Sequence, residues 1–158
     1  SAGENWDAKV STLLQVMVSI QSLIMVDEPY YNEPGYEREQ GTDKGERKNL
    51  AYSNVVRYGN VKYAMLGQLQ SPPLGFEMVV RRHFFLKRES ILVTCERWVA
   101  ESIETDGTKA DYSGLVMDHN PTIVAKFQKG DYAKMLAEEV SQLKEELDKL
   151  DDSVLEEE

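Results

Sequence analysis

One cysteine, two histidines and a scatter of carboxylates are the side chains here that could do covalent or acid–base chemistry. Cys95 shares a helical side with Leu92 and Val99. A thiol in that company reads as a small core hydrophobe, because a reactive thiolate needs a basic, partly open setting. His83 and His119 stand 36 positions apart with no cysteine or acid at zinc-ligand spacing, so no metal site is expected. Neither a glycine-rich phosphate loop nor a Gly-x-Ser-x-Gly elbow is present, and no cofactor is expected either. Arg81, Arg82, Lys87 and Arg88 make a local basic patch, which reads as a solvated helix face.

Composition narrows the class of partner. The 158 residues suit one domain, and 41% of them are hydrophobic, enough to build a core. The formal charge of −10 argues against nucleic acid or anionic membrane, because phosphate binding needs a basic surface. Asp151–Glu158 carries five acids and no base. A single cysteine cannot close an internal disulfide, which favours a reducing compartment and a cytoplasmic location. The longest apolar run, Val16–Val26, is interrupted by Ser19, Gln21 and Ser22 and falls short of the roughly 18 residues a membrane helix needs.

Periodicity predicts a mainly α chain. A first helix is expected from Lys9 to Val26, with Ser11 and Thr12 as possible caps and Pro29 beyond its end. It is apolar nearly all round, which predicts an interior position. The stretch Asp27 to Arg47 reads as irregular, with two prolines, three glycines and three tyrosines. Further helices are expected over 49–70, 75–85 and 89–103, then a loop over 105–114; 115–127 is ambiguous. In the last helix, 131–150, Leu136, Val140, Leu143, Leu147 and Leu150 recur at heptad spacing. That stripe suits docking within the chain or weak dimerisation. Asp148, Asp151 and Asp152 oppose the helix dipole, so this end is expected to fray. The expected organisation is a helical unit over 1–104, a linker over 105–130 and an amphipathic helix with an acidic tail over 131–158.

Three stretches together resemble one family. Trp6, the run Val18-Ser19-Ile20-Gln21-Ser22-Leu23-Ile24 and the turn Tyr30-Tyr31-Asn32-Glu33-Pro34-Gly35-Tyr36 look like the tryptophan, crossover helix and turn that follow the active site of ubiquitin-conjugating enzymes. Val61-Lys62-Tyr63-Ala64-Met65-Leu66 and His83-Phe84-Phe85-Leu86-Lys87-Arg88, with Cys95-Glu96-Arg97-Trp98, are similar to the large, atypical members, among them the giant one that carries a baculoviral IAP repeat. The resemblance covers roughly 6–103 and, more loosely, the last helix.

The resemblance implies the helical C-terminal half of an α/β (α+β) ubiquitin-conjugating fold, extended by a C-terminal helix. The family's catalytic cysteine and its oxyanion-stabilising asparagine would lie upstream; Cys95 falls in a late helix and replaces neither. Glu33 matches an acidic residue at the active-site rim that orients or deprotonates the incoming lysine, and Asn32 matches the position before it. Gln15, Val18 and Ser22 match the crossover-helix face that meets donor ubiquitin. The implied function is transfer of ubiquitin from an upstream cysteine thioester to a substrate lysine. Its implied partners are ubiquitin, the activating enzyme and a substrate protein. The alternatives are a non-catalytic helical interaction module and a coiled-coil adaptor built on the last helix. Exposed apolar surface on the first helix would cost more than a domain's margin of about 5–15 kcal/mol, so self-association or cover by a partner is expected.

Overall fold

The structure is a computed structural model that describes residues 7, 9, 11–23, 25–104, 109–115 and 121–155. Trp6 and His119 lie outside the described residues. Among the described residues the regular structure is helical and there is no strand, in line with the mainly α expectation.

Helix α1 (Leu13–Leu23) is shorter than the expected 9–26. Thr12 sets its start. The Thr12 Oγ1 accepts from the Gln15 N–H at 3.2 Å, and Gln15 Oε1 accepts from the Thr12 N–H at 2.8 Å, a reciprocal capping box. None of its residues is buried, and the expected interior position is not what the structure shows. The physical reason is that, among the described residues, no other element packs broadly along it.

The stretch expected to be irregular is largely built. Two 3₁₀ turns, Pro29–Asn32 and Tyr36–Glu39, lead into α2 (Asp43–Gly59), which begins well before residue 49. Thr42 caps α2: its Oγ1 accepts from the Gly45 N–H at 3.0 Å and donates to the Glu39 carbonyl at 2.7 Å. Asp43 and Glu46 add negative charge in the first turn, where the helix dipole favours it.

Past Gly59 the helix continues without a break through a π-helical turn, Asn60–Leu66, into α3 (Gly67–Gln70). Ser71-Pro72-Pro73 ends it, as expected. α4 (Glu77–Glu104) is one helix, not two. Nothing between Phe85 and Glu89 breaks it: the stretch holds no proline or glycine, and its residues are ordinary helix formers. The short α5 (Pro121–Gln128) and α6 (Tyr132–Asp148) complete the set.

α6 packs against α4, the π turn and α2, so the heptad stripe is buried within the chain. Leu136 and Leu143 are wholly buried, and Val140 and Leu147 nearly so. They close on Ala51, Tyr58, Val61, Phe84 and Cys95. Phe127 of α5 plugs the end of this core, edge-on to Tyr58 at 5.3 Å and to Tyr132 at 5.1 Å.

One buried charge crosses this seam. Glu139 on α6 accepts at Oε1 from Lys62 Nζ at 2.6 Å and from the Tyr58 hydroxyl at 2.9 Å; Lys62 also donates to that hydroxyl at 3.0 Å. The pairing holds the Lys62 ammonium protonated well beyond the ordinary lysine range. Farther along, buried Asn54 donates to the Tyr112 hydroxyl at 2.9 Å, which ties residues 109–115 to α2.

The acidic C-terminal end does not fray through Leu155. A 3₁₀ turn, Asp152–Leu155, sets Val154 into α4. Asp151 Oδ1 accepts the Ser153 N–H at 2.9 Å, and Arg82 donates to the Val154 and Leu155 carbonyls at 3.2 and 3.0 Å. Backbone acceptors held by an arginine outweigh the helix-dipole penalty.

Replacing Lys62 with Met strands the buried Glu139 carboxylate. The expected loss is about 1–3 kcal/mol in urea unfolding, less than the ~3–5 kcal/mol of a fully buried pair because the Lys62 side chain is 35% exposed. Adding Glu139→Leu to that variant should recover most of the loss. Gly45→Ala should cost about 1–3 kcal/mol, since its new Cβ would sit 2.1 Å from the Glu39 carbonyl oxygen.

Candidate functional site

The candidate site is built on Tyr30. Pro29 opens the first 3₁₀ turn and points Tyr30 inward, where its ring is buried. Tyr36 stacks on it at 4.7 Å, Tyr31 meets it edge-on at 5.3 Å, and Tyr52 of α2 closes the cluster at 6.1 Å. The Tyr30 hydroxyl donates to Glu39 Oε2 at 2.9 Å. Burial first, then that carboxylate, pushes the phenol far above its ordinary range. The Lys44 ammonium beside Glu39, and then the Tyr30 hydroxyl, hold the Glu39 carboxyl below the usual range. The turn thus sits on the start of α2 through aromatic packing, an ion pair and the close approach that only Gly45 permits.

This platform presents Asn32 and Glu33 at the surface. Asn32 Nδ2 donates to the Leu23 carbonyl at 2.9 Å, so it binds the turn to the C-terminal end of α1. Glu33 follows, with its backbone in the turn: its N–H donates to Tyr30 O at 3.3 Å and its carbonyl accepts from Tyr36 N at 3.1 Å. Gly35 then reverses the chain at φ 94°, a left-handed conformation that favours glycine. The Glu33 charge lies toward Tyr52, whose phenol is raised by burial and then by that carboxylate.

Gln15, Val18 and Ser22 all lie exposed on one side of α1. Ser22 is one residue from the carbonyl that Asn32 holds. Gln15 is about 10 Å farther along the axis at 1.5 Å per residue. The structure therefore brings Ser22, Asn32 and Glu33 to one end and leaves Gln15 at the other. Both polar side chains of that face already have local work. Gln15 closes the capping box, and the Ser22 hydroxyl donates to Val18 O at 2.9 Å.

Cys95 is buried without exposure among the core residues, as its sequence neighbours suggested. Burial, and then the Glu96 charge, push its thiol up from 9.0 to about 11. Sequence reading missed the Tyr30 cluster and the Lys62–Tyr58–Glu139 contact. The first left a signal, since Thr42-Asp43 followed by Glu46 marks a helix start that pulls the preceding turn into the fold. The second left none, as its members lie 77 residues apart.

No protein-family model matches the chain. Individual proteins do. The chain is 44% identical over 114 residues to a probable ubiquitin-conjugating enzyme E2 (R521) of Acanthamoeba polyphaga mimivirus, a match covering 72% of this chain and 8% of that protein. It is 44% identical over 96 residues to the probable ubiquitin-conjugating enzyme protein 17 of Caenorhabditis elegans, covering 61% of the chain and 13% of the relative. The chain belongs to the ubiquitin-conjugating enzyme family. Within it, the chain is a UBC-like domain close to the human dual E2 ubiquitin-conjugating enzyme/E3 ubiquitin-protein ligase BIRC6 (Apollon/BRUCE), 41% identical over 147 residues that make up 93% of this chain and 3% of that protein. The chain thus spans less than a tenth of the length of these two relatives, the viral protein and BIRC6.

Two outcomes test the geometry. Asn32→Ala should speed amide exchange across residues 25–36 while barely moving the global melting temperature. The Cys95 thiol ionises near 9 in an unfolded chain and near 11 in the folded one. Its share of stability is intact below pH 9 and is lost as pH rises from 9 toward 11. The drop in urea midpoint between pH 8 and 10.5 should be smaller in Cys95→Ala.

Proposed function

We propose that this chain is the helical C-terminal part of an α+β ubiquitin-conjugating fold whose catalytic cysteine lies upstream. The observation that carries the reading is α1: an apolar helix with no buried residue, tied by Asn32 to a rigid turn that holds Glu33 at the surface. Such a helix needs a covering layer, and the sheet and active-site strand of the family would supply one. Ubiquitin would travel as a thioester on the upstream sulfur. A substrate lysine would attack the thioester carbonyl, the carbon–sulfur bond would break, and an amide would form.

In this scheme Glu33 takes a proton from the lysine ammonium or steers it, and Asn32 fixes the turn that aims Glu33. Val18 and Ser22, with Gln15 toward the far end, contribute the donor-ubiquitin face. The partners are ubiquitin, an activating enzyme and a substrate protein in the cytoplasm. Self-association of α1 is the other way its apolar surface could be covered. A coiled-coil adaptor has less support, since the heptad face of α6 is already buried.

The test uses the parent protein with its upstream segment. Glu33→Ala should leave thioester formation unchanged and slow discharge to free lysine about 10²-fold near pH 7, the lower end of general-base contributions. The defect should shrink as pH approaches the lysine pKa of about 10.4, where the nucleophile needs no base. Discharge at the unmodified rate at every pH, or a parent that forms no thioester, would sink the reading.

A further inference from the structure

Tyr30 to Glu39 is a loop closed at both ends. At its neck the Tyr30 hydroxyl donates to Glu39 Oε2 at 2.9 Å, across nine residues of chain. Near its tip the Glu33 N–H donates to the Tyr30 carbonyl at 3.3 Å, and the Tyr36 N–H donates to the Glu33 carbonyl at 3.1 Å. Glu33 therefore rides on the tip, and the neck joins the loop to α2. Glu39 is the fixed side of that neck. Its Oε1 pairs with Lys44 of α2, and its carbonyl accepts from the Thr42 N–H at 3.1 Å and the Thr42 hydroxyl at 2.7 Å. Tyr30 is only 2% exposed, and a phenol buried so deeply loses free energy if its hydroxyl has no partner. Glu39 is that partner. Lys44, the Tyr30 hydroxyl and, more weakly, Lys48 keep the Glu39 carboxyl ionised, while burial and Glu39 keep the Tyr30 phenol protonated. The neck bond thus has its donor and acceptor in place from neutral to alkaline pH.

We propose that Tyr30 and Glu39 are positioning residues for the lysine-accepting step, clasping the neck of the loop so that the Glu33 main chain keeps one place relative to α2. The inference rests on the ubiquitin-transfer reading of Glu33 and gives that residue a second anchor. Asn32 ties the loop to α1, and the clasp ties it to α2. Neither clasp residue touches the reacting atoms. A general base works only from within about 2.6–3.2 Å of the proton it takes. A shift of about 1 Å in the loop can therefore cost up to roughly 10²-fold in rate. Tyr30 uses its ring for the stack with Tyr36 and its oxygen for the clasp. Tyr30→Phe separates the two, removing the clasp and leaving the stack.

The experiment uses the parent protein with its upstream segment. In Tyr30→Phe the Glu33 and Tyr36 amides should exchange faster with solvent, while the Leu143 amide in the α6 core keeps its protection. Discharge of preformed thioester to free lysine should slow about 10-fold at pH 7. That defect should shrink toward the lysine pKa of about 10.4, in parallel with the defect of Glu33→Ala, because both act on one carboxylate. A merely structural loss would be the same at every pH. Tyr30→Phe/Glu33→Ala should be no slower than Glu33→Ala alone. Unchanged exchange at Glu33 and Tyr36 would overturn the clasp. A slow Glu33→Ala beside a Tyr30→Phe that discharges at the unmodified rate, or beside a double variant slowed by the product of the two defects, would overturn the positioning role and leave the Glu33 reading standing. A Glu33→Ala that discharges normally would sink both.

Discussion

The fold depends on covering one side of α6. Leu136, Val140, Leu143 and Leu147 form an apolar stripe that water disfavours, and α4, the π turn and α2 are the surfaces that remove it. Each such side chain stabilises the folded chain by about 1.5–3 kcal/mol when fully buried. Burial alone does not choose how far α6 slides along the groove. The Glu139 carboxylate adds a bias toward the observed register, in which it accepts from Lys62 and the Tyr58 hydroxyl. The π turn begins between these two partners. The helix then runs on to α3, so one continuous rod lies beneath the tyrosine turn at one end and carries the Lys62–Glu139 contact farther along.

From that rod the candidate site is reached in few steps. The start of α2 carries Thr42 and Gly45, and the tyrosine turn rests on them. The turn holds Asn32 against α1 and leaves Glu33 outside. A carboxylate on a turn is ordinarily a solvated, mobile group. Here its backbone bonds to Tyr30 on one side and Tyr36 on the other, and both rings are stacked. Aromatic packing therefore holds the backbone that carries this side chain.

Much of this was legible in the residues. Heptad spacing in α6, the Ser71-Pro72-Pro73 stop and the core place of Cys95 follow from periodicity and side-chain chemistry, and the structure agrees. The run from Asp27 to Arg47 was harder, because glycines, prolines and charges mimic an open loop while its order comes from tertiary contacts of Tyr30 and Glu39. The division of α4 does not hold because the largely polar run Leu86–Glu89, which resembles a linker, contains no helix breaker. Local pattern cannot tell a polar stretch of helix from an interruption. α1 was expected inside and lies outside, since a sequence reports that a helix needs cover but not which surface provides it. Asn32, Glu33, Gln15, Val18 and Ser22 came from family resemblance. The geometry adds that Asn32 and Gln15 also hold local structure.

The contact between Gly45 and the Glu39 carbonyl has one more consequence. It sets main chain directly against main chain, with no side chain between them to act as a spring. A twist or tilt of α2 finds no rotatable side chain to absorb it there, so one main chain or the other has to move.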